Sequence, residues 1–340
     1  MGGFLDLITQ KHGNKMKKCR LCKNTKLSEY YRLNEDHLLY KCNVCGFVQM
    51  PAPTEDHLDG AASKESVSQD VNRDTSPEDI KLSESMGPSG PMQRLNHILQ
   101  TDSNRIKKTI EKIVNESFSS LKGLKFIDIG SGYGFHSFGL KRDFPEIDVH
   151  LLEISSERIK TGIEVFKPDP NEFTWHHNVL DNIFAAKHVE KFDICFSFHV
   201  LEHVYNIKGF IKSMFDITKK GGSIILEVPN EDDDLSLLSD EYRKIIHFPA
   251  HVSCFTKDTL FKLVEESGIK DNVEISFIPI QRYGFFNYVD WIRHNSKNKI
   301  ISDDYIPRKN PTWIEKRWLQ EKEENFTTDS IIMVLKKNDS

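Results

Sequence analysis

No run of apolar residues in this 340-residue chain approaches the roughly 18 that a membrane-spanning helix needs. The first residues, Met1 to Asn14, carry neither the apolar stretch of a signal peptide nor the Ser or Thr of a myristoylation site. A strong charge of either sign is also missing. With 46 Lys and Arg against 51 Asp and Glu, the net charge of −5 gives no general attraction to nucleic acid or to anionic lipid. There are no internal repeats. These absences point to a cytoplasmic globular protein without a membrane span, long enough for one full-sized α/β domain and small appendages. A reducing compartment disfavours disulfides, so regular spacing among the 6 cysteines needs another explanation.

Four of them form two C-x-x-C pairs, Cys19 with Cys22 and Cys42 with Cys45, and 19 residues separate the pairs. Such a turn aims two thiolates at one metal ion, and two turns complete a closed tetrahedral Zn2+ site, with Gly46 suited to the second turn. Reduced thiols and an iron–sulfur site are the alternatives. The spacing predicts a small β-rich zinc-ribbon-like module over residues 1–50, structural rather than catalytic because a closed four-thiolate shell leaves no position for water. Cys195 and Cys254 read as buried apolar fillers. Residues 51–91 are rich in Pro, Ser, Gly and acids and read as a linker or mobile loop. The main domain then runs over 92–340, with a helical lead-in to about Ser119.

From Lys125 onward, apolar runs of strand length alternate with helical patterns: "KFIDIG", "IDVHLLEI", "EFTWHH", "FDICFSF" and "GSIILEV", then a helix with Thr256 as N-cap and Gly268 past its end. Such alternation predicts a parallel sheet covered by helices, with "VEISFIPI" and "DSIIMVLKK" as late strands. The first strand runs into Gly130-Ser131-Gly132-Tyr133-Gly134. A glycine turn between strand and helix puts backbone N–H groups and a helix N-terminus at the sheet edge where such folds bind ligands. The spacing is G-x-G-x-G and not the G-x-G-x-x-G of dinucleotide binders. Asp128 would repel a pyrophosphate but suits a ligand bearing an ammonium and a sulfonium, as S-adenosylmethionine does. Glu153, followed by Ile154 at the end of the second strand, stands where an acid can accept from both hydroxyls of a ribose. The bland alternative is two solvated strand ends and a bare turn.

Together "FIDIGSGYG", "LLEIS", "FDICFSFHVLEHV" and "GGSIILEVPN" resemble successive motifs of class I S-adenosylmethionine-dependent methyltransferases. That resemblance implies a Rossmann-like α/β fold with a seven-stranded, mostly parallel sheet whose last strand, "DSIIMVLKK", is antiparallel. It also implies that Asp128 and the glycine loop line the methionine end of the cofactor, that Glu153 holds its ribose, and that Asn178 or Asp181 stands near the adenine. The N-terminal arrangement Cys19, Cys22, Tyr40, Cys42, Cys45, Gly46, Val48 and Pro51 is similar to one in bacterial methyltransferases associated with sugars and surface polysaccharides. So is the later "QRY" segment.

Methyl transfer needs alignment, desolvation and, for a hydroxyl or acidic C–H, a base. "FHVLEHV" supplies His199, Glu202 and His203 after the fourth strand, with His199 also close enough to touch cofactor. "HFPAHVSCF" adds His247 and His251 before the Thr256 helix. Each histidine taken alone is as readily a helix cap or a satisfied core residue, and His176 and His177 read as strand-end residues. "QRYGFFNYVDWIRHNSK" reads equally as a ring-stacking surface, with Gln281, Asn287 and Asp290 as polar contacts, or as a packed aromatic helix. Glu231 to Asp234 reads as a solvated loop. The sequence therefore predicts methyl transfer to a small acceptor, such as a saccharide or nucleotide-sugar. A quinone-like acceptor and an RNA-directed zinc-ribbon protein are the alternatives, the last disfavoured by the charge.

Overall fold

The structure, a computed structural model, describes residues 16–35, 37–51, 109–112, 120–295 and 310–339. Nearly all of the expected linker and of the helical lead-in lies outside the described residues. Among those, no helix is long and apolar enough to cross a membrane.

The main sheet has seven strands: β4 (Lys125–Ile129), β5 (Asp148–Glu153), β6 (Phe173–His177), β7 (Phe192–Phe198), β8 (Thr218–Pro229), β10 (Val273–Ile280) and β11 (Ser330–Lys337). Their order is β10-β11-β8-β7-β4-β5-β6, and β11 runs antiparallel to both neighbours. The predicted α/β sheet with an antiparallel last strand is therefore present. β7 is buried along all seven residues, as a central strand covered on both faces must be. Between the strands run α1 (Phe135–Asp143), α2 (Ser156–Phe166), α3 (Asn182–Lys187) and α4 (Ile207–Ile217). α4 shows why the alternation closes on itself. Ile207, Phe210, Ile211, Met214 and Ile217 recur at helical spacing and are all buried, each contributing up to about 2 kcal/mol relative to exposure.

Two short helices, α5 (Leu235–Leu238) and α6 (Asp240–Ile246), follow β8, and β9 (Ser253–Cys254) precedes α7 (Lys257–Glu266). Thr256 caps α7 in a capping box, and Gly268 follows its end with φ +72°, as its sequence predicts. Helices α8 (Phe285–His294) and α9 (Trp313–Glu324) lie between β10 and β11.

The cysteine segment forms β1 (Leu27–Arg32), β2 (Leu38–Cys42) and β3 (Val48–Gln49), but it is not a free-standing module. β3 pairs with β9, so one four-stranded antiparallel sheet, β1-β2-β3-β9, joins residues 48–49 to 253–254. Cys19, Leu21, Cys42 and Phe47 belong to the same core cluster as Leu201, Val204 and Phe255, and the rings of Phe47 and Phe255 lie 5.3 Å apart. The boundary expected at residue 50 thus divides one packed body, because a module this small cannot bury enough apolar surface alone.

Candidate functional site

The turn after β4 is built to bring backbone close to a ligand. Gly130, Gly132 and Gly134 have φ of +72°, +57° and +83°, values that L side chains adopt only with strain. A Cβ on Gly130 would meet Val200 Cγ2 at 2.5 Å, whereas at Gly132 it would meet open space. The middle glycine is therefore required by conformation and leaves room above the turn. Gly162 of α2 performs a related task that its sequence does not announce. A Cβ there would lie 2.3 Å from the carbonyl oxygen of Tyr133, so the helix must be bare for the turn to sit against it.

Asp128 is 2% exposed and accepts one hydrogen bond, 2.8 Å from Ser137 Oγ of α1. Burial raises its carboxyl to about 7, against the Ser137 hydrogen bond and aided by the charge of Glu153. Its ionised form therefore wants a cation. Glu153, also buried, accepts from Gly132 N at 2.8 Å and Ser155 N at 2.9 Å, which ties the second strand's end to the turn. Ser131 Oγ is buried and has no hydrogen-bond partner among the described residues. Beside the turn lies a cavity of about 250 Å³, lined by Gly130, Ile154, Asn178, Leu180, Asp181 and Val200 among others. Asp181 caps α3 through Phe184 N, and Asn178 Oδ1 accepts from Val179 N, so each acid or amide near the expected adenine site already holds backbone. An orphaned hydroxyl, a buried acid and a cavity thus lie around the end of β4, a donor and acceptor set chemically compatible with the ammonium and sulfonium expected there.

At the ends of β7 and β8 a second group assembles. His199 has φ +55°, a strained value for a non-glycine residue of the kind that persists where neighbours impose it. Its Nδ1 lies 3.3 Å from Glu202 Oε1, and its Nε2 lies 3.2 Å from Glu227 Oε1 and 2.9 Å from Arg282 Nη1. Burial and the Arg282 charge push the imidazole pKa down, but the hydrogen bonds with Glu202 and Glu227 outweigh them and raise it. Burial works against ionising Glu202, yet His199, His203 and His251 hold its carboxyl down to about 2. Two backbone N–H groups fix Arg282's own segment: Arg282 N and Tyr283 N both donate to Asp329.

His203 closes a single 3-10 turn, Leu201–His203, rather than opening an α-helix. Its ring lies 4.9 Å from that of His251. His247 stands apart from this group. It ends α6, is 1% exposed, bonds Glu231 at 2.9 Å and packs on Tyr30 and Tyr31 of β1. Its expected place in the cleft is thus corrected to a structural one between the cysteine segment and the main domain, because burial against two tyrosines leaves it no access to solvent.

The four cysteine sulfurs lie within 4.8 Å of one another, with Cys19–Cys45 at 3.7 Å and Cys22–Cys42 at 3.6 Å. The donor set fits a tetrahedral thiophilic ion. Between Cys19 and Cys22, Arg20 reaches out of the segment. Its Nη1 donates to the carbonyls of Val204 and Tyr205, and its Nη2 donates to the carbonyl of Val252 and to Ser253 Oγ. One buried guanidinium therefore joins the residues just after His203 to those just after His251. Sequence reading singled out neither Arg20 nor Glu227, since a basic residue beside cysteines and an acid inside a strand carry no local mark of their partners.

The remaining candidates resolve into packing. Gln281 donates to Asp329, and α8 places Trp291 against Tyr242 and Phe285 and Tyr288 against Trp318, so these rings of the aromatic segment are packed, while Phe286 is exposed. Glu231 to Asp234 is solvated only in part, with Asp232 exposed. Asp233 is 1% exposed and pairs with Lys322 at 3.0 Å and Tyr242 at 2.8 Å, because α9 returns a cation to it from 89 residues away. Cys195 and Cys254 are buried, as expected.

The family described as a methyltransferase domain matches residues 97–275, more than half of the chain. Among curated proteins, the mitochondrial ubiquinone biosynthesis O-methyltransferase of Dictyostelium discoideum is 29% identical over 161 residues, 43% of this chain and 48% of that protein. The ubiquinone biosynthesis O-methyltransferase of Ruegeria pomeroyi is 26% identical over 199 residues, 54% of this chain and 72% of that protein. The match to the first of these therefore spans about half of its length. Among solved structures, a SAM-dependent methyltransferase from Archaeoglobus fulgidus has a TM-score of 0.46 at 14% identity, covering 70% of this chain and 94% of that one. The chain belongs to the methyltransferase-domain family.

Proposed function

We propose that the chain methylates a hydroxyl or acidic C–H of a small, polar, sugar-containing acceptor, with His199 as the base. The charged lining around His199 carries this reading. Glu202, Glu227 and Arg282 all lie within hydrogen-bond reach of one ring, an environment suited to the hydroxyls and anionic groups of a nucleotide-sugar and poorly suited to a bare hydrocarbon. S-adenosylmethionine supplies a methyl group already activated on a sulfonium.

The chain's own residues do the rest. Asp128 would hold the ammonium, Gly130, Ser131, Gly132, Tyr133 and Gly134 the methionine end, Glu153 the ribose, and the Ile154–Asn178–Asp181 side of the cavity the adenine. Glu202 Oε1 would accept from His199 Nδ1, and Nε2, which faces Glu227 and Arg282, would take the acceptor's proton once the acceptor displaces those contacts. Arg282, on the same Nε2 edge, favours the neutral ring and can move to an anionic group of the acceptor. Cys19, Cys22, Cys42 and Cys45 would hold a structural Zn2+ that fixes the segment carrying Arg20.

The names of the relatives favour a second reading, in which the acceptor is a quinone-like aromatic. Radiolabelled methyl transfer to a panel of nucleotide-sugars and of catechol-bearing quinone precursors separates the two. Label in the sugars, lost in His199→Ala, is the expected result. Label confined to the catechols would replace the first reading by the second.

A further inference from the structure

β11 runs antiparallel to β8 and β10, so its first residues, not its last, lie at the edge where the parallel strands end. Ser330 pairs with Pro229 on one side and Ile280 on the other, which leaves Asp329 between the ends of β8 and β10. Asp329 is 4% exposed, and its carboxylate accepts from three consecutive residues of the turn after β10. Gln281 Nε2 lies at 2.8 Å, Arg282 N at 2.9 Å from one oxygen and 3.0 Å from the other, and Tyr283 N at 3.1 Å. Burial and the charge of Asp233 push this carboxyl up to about 6, against Arg282 and the backbone donors. On the opposite side, the Asp329 carbonyl accepts from Asn230 N at 3.0 Å. The Asn230 amide donates in turn to the carbonyls of Phe326 and Thr328, at 2.8 Å each, and so holds the approach to Asp329.

We infer that Asp329 is a positioning residue for the base: its carboxylate aims Arg282 and its carbonyl fixes the end of β8, so one residue sets both groups that face His199 Nε2. Glu227 precedes Asn230 by three residues. Its Oε1 is 3.2 Å from His199 Nε2, and its carbonyl accepts from His199 N at 2.9 Å. Arg282 Nη1 is 2.9 Å from the same ring nitrogen. The two partners pull in opposite senses, Glu227 toward the charged ring and Arg282 toward the neutral one. A base must be neutral to take a proton, so the placement of these two charges decides the pH at which His199 can work. Bonds to a charged acceptor are roughly twice as strong as neutral ones, which suits a turn that must hold a guanidinium against an imidazole. The charged groups around the ring are Glu202 from the 3-10 turn, Glu227 from β8 and Arg282 from the turn after β10. Those around Asp329 are Asp233, ahead of α5, and Arg282, with the buried hydroxyl of Tyr242 from α6. The catalytic consequence rests on the reading of His199 as the base; the electrostatic link from Asp329 to the ring does not.

The test is a pH titration by NMR of the full-length chain with labelled histidine, the His199 ring signal being assigned by its loss in His199→Gln. In Arg282→Gln the His199 midpoint should rise, because a neighbouring cation is gone. Asp329→Asn should raise it too, by releasing that cation, and in the Arg282→Gln background it should add no further rise. Loss of the Asp329 charge acts on the ring directly in the opposite sense. A midpoint that falls or stays fixed in Asp329→Asn would therefore overturn the inference, as would a rise that persists without Arg282. Gln281→Leu removes one donor and leaves every charge in place; it should raise the midpoint less, and it is judged by the same criterion if Asp329→Asn does not fold. Calorimetric S-adenosylmethionine binding, expected at the wild-type affinity in each variant, reports the fold. Failure of the base reading is a separate result: methyl transfer that survives His199→Gln, with the effect of Arg282 on the ring titration intact.

Discussion

The cofactor edge and the histidine group differ in how far apart in sequence their parts lie. Asp128, the glycine loop, Ser137 and Glu153 span 26 residues, and consecutive strands and turns assemble them. His199, Glu202, His203, Glu227, His251 and Arg282 come from four stretches of the domain, and the cysteine segment clamps two of these stretches from about 180 and 230 residues away. Local geometry makes the first site; tertiary packing makes the second. Damage to the cysteine segment should therefore spare cofactor binding and harm catalysis.

The largest expected effect comes from the clamp's foundation. If the four cysteines hold the proposed Zn2+, removing it by chelation, or replacing Cys42 by Ser, should abolish turnover and lower the melting temperature by about 10 °C. Calorimetric scanning beside the activity assay reads both. Unchanged activity in a fully chelated sample would separate the two regions entirely. His199→Ala should cost roughly 10²–10⁴ in kcat with little change in S-adenosylmethionine affinity. Arg20→Ala sharpens the comparison further. Loss of four buried charge-assisted contacts should destabilise the fold by on the order of 3 kcal/mol in denaturant titration and reduce kcat, while the dissociation constant for the cofactor stays within about threefold. A parallel loss of cofactor affinity would mean that the two regions are one.

The smallest effect is a shift in pH profile. The base must be neutral to accept a proton, so kcat should rise with pH through a midpoint above the ordinary imidazole value, because Glu202 and Glu227 raise the pKa of His199. Glu202→Gln removes one of those stabilising charges and should lower the midpoint. A midpoint that rises or stays fixed would exclude Glu202 as the partner of the titrating group.

The same contrast explains what the sequence reveals. Thr256 and Gly268 mark both ends of α7 because capping is written within a few residues. Most strands of the main sheet are visible as apolar runs, and G-x-G-x-G is legible as the turn that follows β4 before any contact is known. The pairing of Val48 with Cys254 is not visible, since two-residue strands have no period to read. Asp233 looks solvated in "EDDD" because Lys322, which pairs with it, arrives on α9. His247 and His251, four residues apart in one loop, look alike in sequence, and only the tyrosines of β1 and the cleft around Glu202 assign them different places.

The central claim is that Asp128 holds the cofactor's cationic end, and calorimetric titration of S-adenosylmethionine at pH 6 and pH 8 tests it most directly. Burial raises Asp128 to about 7 in the free protein, so its folded-state proton must leave before the ammonium can pair with a carboxylate. Affinity should therefore rise with pH and level off above that value, by roughly tenfold between the two conditions. Asp128→Asn should bind more weakly, with no such dependence. Equal affinity in wild type and Asp128→Asn, or no binding to a folded wild type, would contradict the account.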